Sequence, residues 1–200
     1  MAVSSTDSAV SKARQSLLDR GYKAWCENTA GTTRIKLGVR VHEPLQASLL
    51  AEKLGAVICA LDKIPGLSSE ALRHLSSSSD DEWSAVTVVC GDKEIIVINP
   101  SHSVGRMSTD LMHELSHLLL GHESAQTFIS EEGFMIREYD EKQEAEADWL
   151  AGALLLPRKA LEYIKYNHIP IEEVTQIYGV SRQLYNYRCR MTAVNRQYRY

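Results

Sequence analysis

The order of elements in these 200 residues, a helix, a few strands and then a run of helices, predicts an α+β domain with a small antiparallel sheet. Three observations carry that reading. Two β-branched runs in "SAVTVVCGDKEIIVINP" (84–100) flank a Gly-Asp-Lys turn and read as a hairpin. "LMHELSHLLL" (111–120) has helical apolar spacing and meets a stop signal at Gly121. "EKQEAEADWLAGALLL" (141–156) forms a second helical run, ended by Pro157.

Taken in chain order, the first dozen residues are small and polar, and "SKARQSLLDRGYKAWCE" (11–27) has helical spacing. In "EPLQASLLAEKLGAVIC" (43–59), Pro44 stands near a helix start, Leu45, Leu49, Leu50 and Leu54 form its apolar face, and Gly55 stops it. "AVIC" then reads as a strand, and "SSSSDDEW" (76–83) as a polar loop. Pro100 cannot continue a central strand, so the hairpin ends there. Thr109 or Asp110 is placed to cap the 111–120 helix, and a loop runs from it to about residue 139. Past Pro157, "RKALEYIKYN", "PIEEVTQIYGV" and "SRQLYNYRCRM" read as three short helices. The expected division is an N-terminal extension (1–40), a central domain (41–157) and a C-terminal helical segment with a basic tail (158–200).

With 44% hydrophobic and 24% charged residues, the chain has the composition of a globular domain with a substantial core. A net charge of −4 demands neither nucleic acid nor an anionic membrane. Its distribution is uneven: residues 131–146 are rich in acids, whereas 181–200 contain five arginines and no acid. The four cysteines form no C-x-x-C pair and read as reduced thiols. No run approaches the roughly 18 apolar residues of a membrane span, and a cytoplasmic protein is expected.

The chemistry concentrates in "HELSH". Residues four apart on a helix share a face, so His113 and His117 can reach one cation. Glu114 is angled to act as general base on a water activated there, the geometry of a metal-assisted hydrolase. With 7 histidines in the chain, the pattern arises by chance in roughly one sequence in fifty of this composition, so a third ligand has to decide. His122 follows His117 by five residues, whereas a metzincin needs six with a glycine midway, and Leu120 occupies that glycine position. His122 reads instead as a group at the helix end. "EAEAD" offers Glu144 and Asp148, one helical turn apart. Glutamate-type zincins use E-x-x-x-D in this way, the glutamate as metal ligand and the aspartate holding a histidine ligand from behind. The leucines and alanines of 150–156 bury that helix, and inward carboxylates on it require a partner. Glu141 and Glu146 are the alternatives to Glu144; Glu146, two positions from Glu144, points to another face and reads as solvated.

These motifs together resemble the ImmA/IrrE family of metallo-endopeptidases. "HELSHLLLGH", "EAEADWLAGALLLP" and the preceding "EIIVINPSHSVGRMSTDLMHELSH" carry the resemblance, with "PLQASLLAEKLGAVI" and "YGVS" as similar flanks, over about residues 43–190. Departures are Trp149-Leu150, where a polar residue and phenylalanine are common, and Asp148, where many members have asparagine. The resemblance implies a zincin-like fold and a Zn2+ (or Mn2+) ion on His113, His117 and Glu144. It also implies a bacterial or phage peptidase that cleaves a helix-turn-helix repressor and so releases stress, mobile-element or prophage genes. Tyr139, His168 and Arg137 are the candidate donors to the oxyanion.

The rival class is a regulatory module that binds DNA or a repressor without proteolysis. "IEEVTQIYGVSRQLYNYRCR" has a helix, a Gly-containing turn and a basic second helix. Against it, Thr175 stands where a small alanine usually lets the helices approach, and Tyr185 where an aliphatic is usual. A metal-free descendant that only binds its partner is disfavoured by the intact His113, His117, Glu144 and Glu114. Serine chemistry has no support, because Ser116 lies within the motif helix and "SHS" (101–103) has no nucleophile-elbow context.

Overall fold

The computed structural model describes residues 16–63, 84–90, 93–122, 127–129, 135–137 and 140–198. Helix α1 (Tyr22–Lys36) begins after Gly21, which takes φ 91°. That left-handed glycine breaks the helix expected over 11–27, and α1 instead continues through "TAGTT". Helix α2 (Ala47–Leu54) ends on Gly55 in the left-handed region, as its sequence predicts.

The sheet is mixed rather than antiparallel. Strands β2 (Ala85–Cys90) and β3 (Lys93–Ile98) form the expected hairpin, but β1 (Val57–Ala60) pairs parallel with the far side of β3, Val57 opposite Ile95. The order is β1-β3-β2. Hairpin direction is set by a short turn, whereas more than twenty residues separate β1 from β2 and leave its direction to tertiary packing. Central β3 is correspondingly apolar from Ile95 to Ile98, with Ile96 and Val97 buried. A second pair, β4 (Thr127–Ile129) with β5 (Met135–Arg137), lies where a loop is expected.

Helix α3 (Val104–Leu120) starts earlier than its apolar pattern suggests, at Ser103, whose hydroxyl accepts from the Arg106 N–H. Neither Thr109 nor Asp110 caps it. Thr109 donates back to the Gly105 carbonyl at 2.8 Å, and Asp110 faces His102 Nδ1 at 3.3 Å. Gly105 is needed here: a Cβ would lie 3.0 Å from the backbone nitrogen of Ser181, between two later helices. Helix α4 (Glu141–Leu155) is capped by Asp140, which accepts from the Lys142 and Gln143 N–H groups. From Trp149 onward it is buried on every side. Its C-terminal carbonyls are met by two buried guanidinium groups. Arg34 donates to Leu154 O at 2.5 Å and Arg188 to Leu156 O at 3.0 Å, while Arg188 also pairs with Glu27.

Helices α5 (Arg158–Tyr166), α6 (Ile171–Tyr178), α7 (Arg182–Met191) and α8 (Val194–Gln197) complete the described chain. The first three occupy the expected positions. Their Leu161, Ile164, Val174, Tyr178, Tyr185 and Cys189 join one core cluster with Met112, Leu115, Leu150 and Leu154 of α3 and α4. Among the described residues no helix is long and apolar enough to cross a membrane.

Candidate metal centre

Two facing helices build the centre. The "HELSH" sequence lies in the second half of α3, where Leu111, Met112 and Leu115 anchor one face in the core, so His113 and His117 are turned together towards α4. The first two turns of α4 present Glu144 and Asp148 to them. His113 Nε2 and His117 Nε2 are 3.0 Å apart, and the Glu144 carboxylate lies 3.3 Å from the first and 3.4 Å from the second. Among the described residues, His113, His117 and Glu144 form a three-donor cluster whose ligand atoms lie within 4.8 Å of one another.

The donor set fits a metal ion. Tetrahedral coordination with bonds of about 2.0–2.1 Å separates neighbouring donors by roughly 3.3 Å, close to the spacing found here. Two imidazoles with one carboxylate suit a borderline divalent cation such as Zn2+ and also accommodate Mn2+.

Each imidazole is also held from behind. Asp148 Oδ1 lies 2.9 Å from His113 Nδ1, leaving Nε2 to point inward. His117 Nδ1 meets His122 Nδ1 at 2.9 Å, and His122 Nε2 meets Glu146 Oε2 at 3.2 Å. Charge follows geometry. Burial opposes protonation of His113, but hydrogen bonds to Asp148 and Glu144 outweigh it and raise the imidazole from 6.5 to about 10 without an ion bound. For Glu144, burial opposes the anion, yet His113 and His117 win and lower the carboxyl below its ordinary range.

Glu114 is 7% exposed and turns to the sheet side, where its Oε2 accepts from the Thr87 hydroxyl of β2 at 2.5 Å. Thr87 is invisible in a sequence reading, because nothing local links a strand residue to a helix 27 positions on. Glu146 corrects the solvated reading: it is 17% exposed and faces His122 and Lys142. The turn at Gly121 carries His122 off the helix axis, so a residue two positions from Glu144 can reach it. Of the candidate oxyanion donors, His168 is exposed in the turn between α5 and α6, Arg137 belongs to β5, and Tyr139 lies outside the described residues. The serine alternatives are otherwise committed: Ser116 donates to Met112 O and Ser101 to Asn99 Oδ1.

No curated protein matches the chain. Residues 36–190 match the family model described as the IrrE N-terminal-like domain, Peptidase_M78, a span that includes the sheet, both motif helices and α5 to α7. The chain therefore belongs to the IrrE N-terminal-like peptidase family.

Proposed function

We propose that the protein is a zinc-dependent endopeptidase whose substrate is a helix-turn-helix transcriptional repressor, cleaved in the cytoplasm to relieve repression of stress, mobile-element or prophage genes. The observation that carries the reading is the donor triangle of His113, His117 and Glu144 with the buried Glu114 beside it. A divalent ion held there supplies Lewis acidity, polarising a scissile carbonyl and making water acidic near neutral pH. The protein's own groups do the rest. Asp148 fixes the His113 ring. Thr87 occupies Oε2 of Glu114 and leaves Oε1 to take a proton from water and pass it to the leaving amine. Strand β2, which carries Thr87, is an edge of the sheet among the described strands, and an extended peptide added to that edge runs past Glu114.

The repressor comes from the family resemblance, and α6 and α7 serve in this reading as part of the substrate-docking surface rather than as a DNA reader. Two of the arginines that make α7 basic are engaged elsewhere: Arg188 is buried against Leu156 O and Glu27, and Arg182 pairs with Glu172 at 2.5 Å. The test combines metal content with cleavage. Purified protein should carry about one equivalent of zinc, lost in Glu144→Ala. It should also cut the helix-turn-helix repressor encoded beside its gene at a discrete bond, seen by mass spectrometry. Glu114→Gln should keep the metal and lose cleavage. Full activity in Glu114→Gln would sink the mechanism, and stoichiometric metal in Glu144→Ala would move the third ligand elsewhere.

A further inference from the structure

We infer that His122 and Glu146 form a positioning relay for His117, so that both metal-facing imidazoles are oriented by carboxylates, one directly and one through an intervening ring. The inference rests on the metal reading above and concerns two residues outside the donor set. The two arms are parallel in construction. On one side Asp148 Oδ1 contacts His113 Nδ1; on the other Glu146 Oε2 contacts His122 Nε2, and His122 Nδ1 contacts His117 Nδ1.

The relay's geometry follows from the end of α3. Gly121 adopts the left-handed conformation, φ 66°, and the His122 N–H closes onto the His117 carbonyl at 3.0 Å. The chain is thus folded back so that the His122 side chain lies beside His117 on the side away from the Nε2 cluster, with only 9% of it exposed. Its backbone N–H caps the helix end, while its ring nitrogens meet His117 and Glu146. Glu146 is held in turn: Lys142 Nζ lies 3.8 Å from its Oε1 and is itself bound to Asp19 at 2.9 Å, and the Tyr22 hydroxyl donates to the Glu146 carbonyl at 3.0 Å.

Proton positions follow from the contacts. When His117 offers Nε2 to an ion, its proton sits on Nδ1 and must be donated outward. The atom it meets is His122 Nδ1, which can accept only if His122 carries its proton on Nε2. That proton points at Glu146 Oε2, a carboxylate that can only accept. With an ion on His117 Nε2 the relay therefore admits one arrangement of protons, His117 Nδ1–H to His122 Nδ1 and His122 Nε2–H to Glu146. Without it the ring can rotate or place its proton on Nε2, where it blocks the site.

The experiment uses the full chain and Zn2+ alone, with affinity measured by competition against a chromophoric chelator. His122→Phe, which keeps the ring's bulk and removes both nitrogens, should weaken zinc binding about 10- to 100-fold. His122→Asn, whose amide oxygen can stand in for Nδ1, should restore it to within about threefold of the parent. Adding Glu146→Ala to His122→Phe should cost nothing further, because both act through His117. Parental affinity in His122→Phe, or fully additive losses in the double variant, would overturn the relay while leaving the metal site standing. A parent that takes up no zinc would remove the metal reading and the relay together. Nitrogen-15 NMR of the zinc-loaded parent provides a check that needs no variant: His122 should show its proton on Nε2, and a proton on Nδ1 would overturn the assignment.

Discussion

At the scale of single residues, His113 sits where two requirements compete. In the absence of an ion, Asp148 and Glu144 hold its proton up to about 10, whereas an ion needs the same Nε2 unprotonated. Metal uptake should therefore release a proton, and apparent zinc affinity should rise about tenfold per pH unit through the neutral range, as chelator competition at several pH values would show. The stability of the metal-free protein should follow the opposite course. A group raised from 6.5 to about 10 on folding contributes fully below 6.5 and loses its contribution as pH climbs towards 10. Urea melts of metal-free protein should thus show this contribution fading over that window, with no such fading when zinc is bound. Thr87 is a second residue-level case. Thr87→Val keeps the shape of the side chain and removes the hydroxyl that fixes Glu114, so turnover should fall roughly five- to tenfold with metal content unchanged. Of these residues, His113 with His117 and Glu144 with Asp148 were legible as two same-face pairs, because helical periodicity states which side chains share a face. Thr87, His122 and Glu146 were not, because their partners are set by how a strand, a turn and a second helix come together.

At the scale of elements, α4 shows how a helix can be both core and site. Its first two turns carry the polar residues and its last two are buried on all sides, which leaves three C-terminal carbonyls in an apolar interior. Arg34 reaches Leu154 O and Leu155 O, and Arg188 reaches Leu156 O. Burial lowers the Arg34 guanidinium to about 10, still charged at neutral pH. Arg34→Met fills similar space but strands these acceptors, and should destabilise the protein by about 3 kcal/mol in urea unfolding, more than an exposed arginine would. Helix ends were legible where a glycine or proline marks them, as at Gly55, Gly121 and Pro157. The start of α3 was not, because "SVGRMS" lacks an apolar stripe: Gly105 is there for close approach to Ser181 rather than for helix propensity.

At the scale of the whole molecule, the helices after Pro157 cover the same core that seats the motif helices. Glu27 of α1 ties them in by accepting from the Arg158 N–H at 2.7 Å and pairing with Arg188. Deleting residues 158–200 strips Leu161, Ile164, Val174 and Tyr185 from the core cluster. The truncated chain should lose cooperative unfolding by circular dichroism and bind no zinc, whereas an appendage would leave both intact.

The α+β class, the hairpin, the two motif helices and the residues on each that share a face were legible in the order of the amino acids. All of these follow from periodicities of 2 and 3.6 residues and from local stop signals. The parallel entry of β1 into the sheet, the strand hydroxyl that holds Glu114, and the placement of His122 behind His117 with Glu146 beyond it emerge from the folded chain. Those relations are contacts between residues 24 to 38 positions apart or across a turn, where packing of the whole chain sets the outcome and local preference does not.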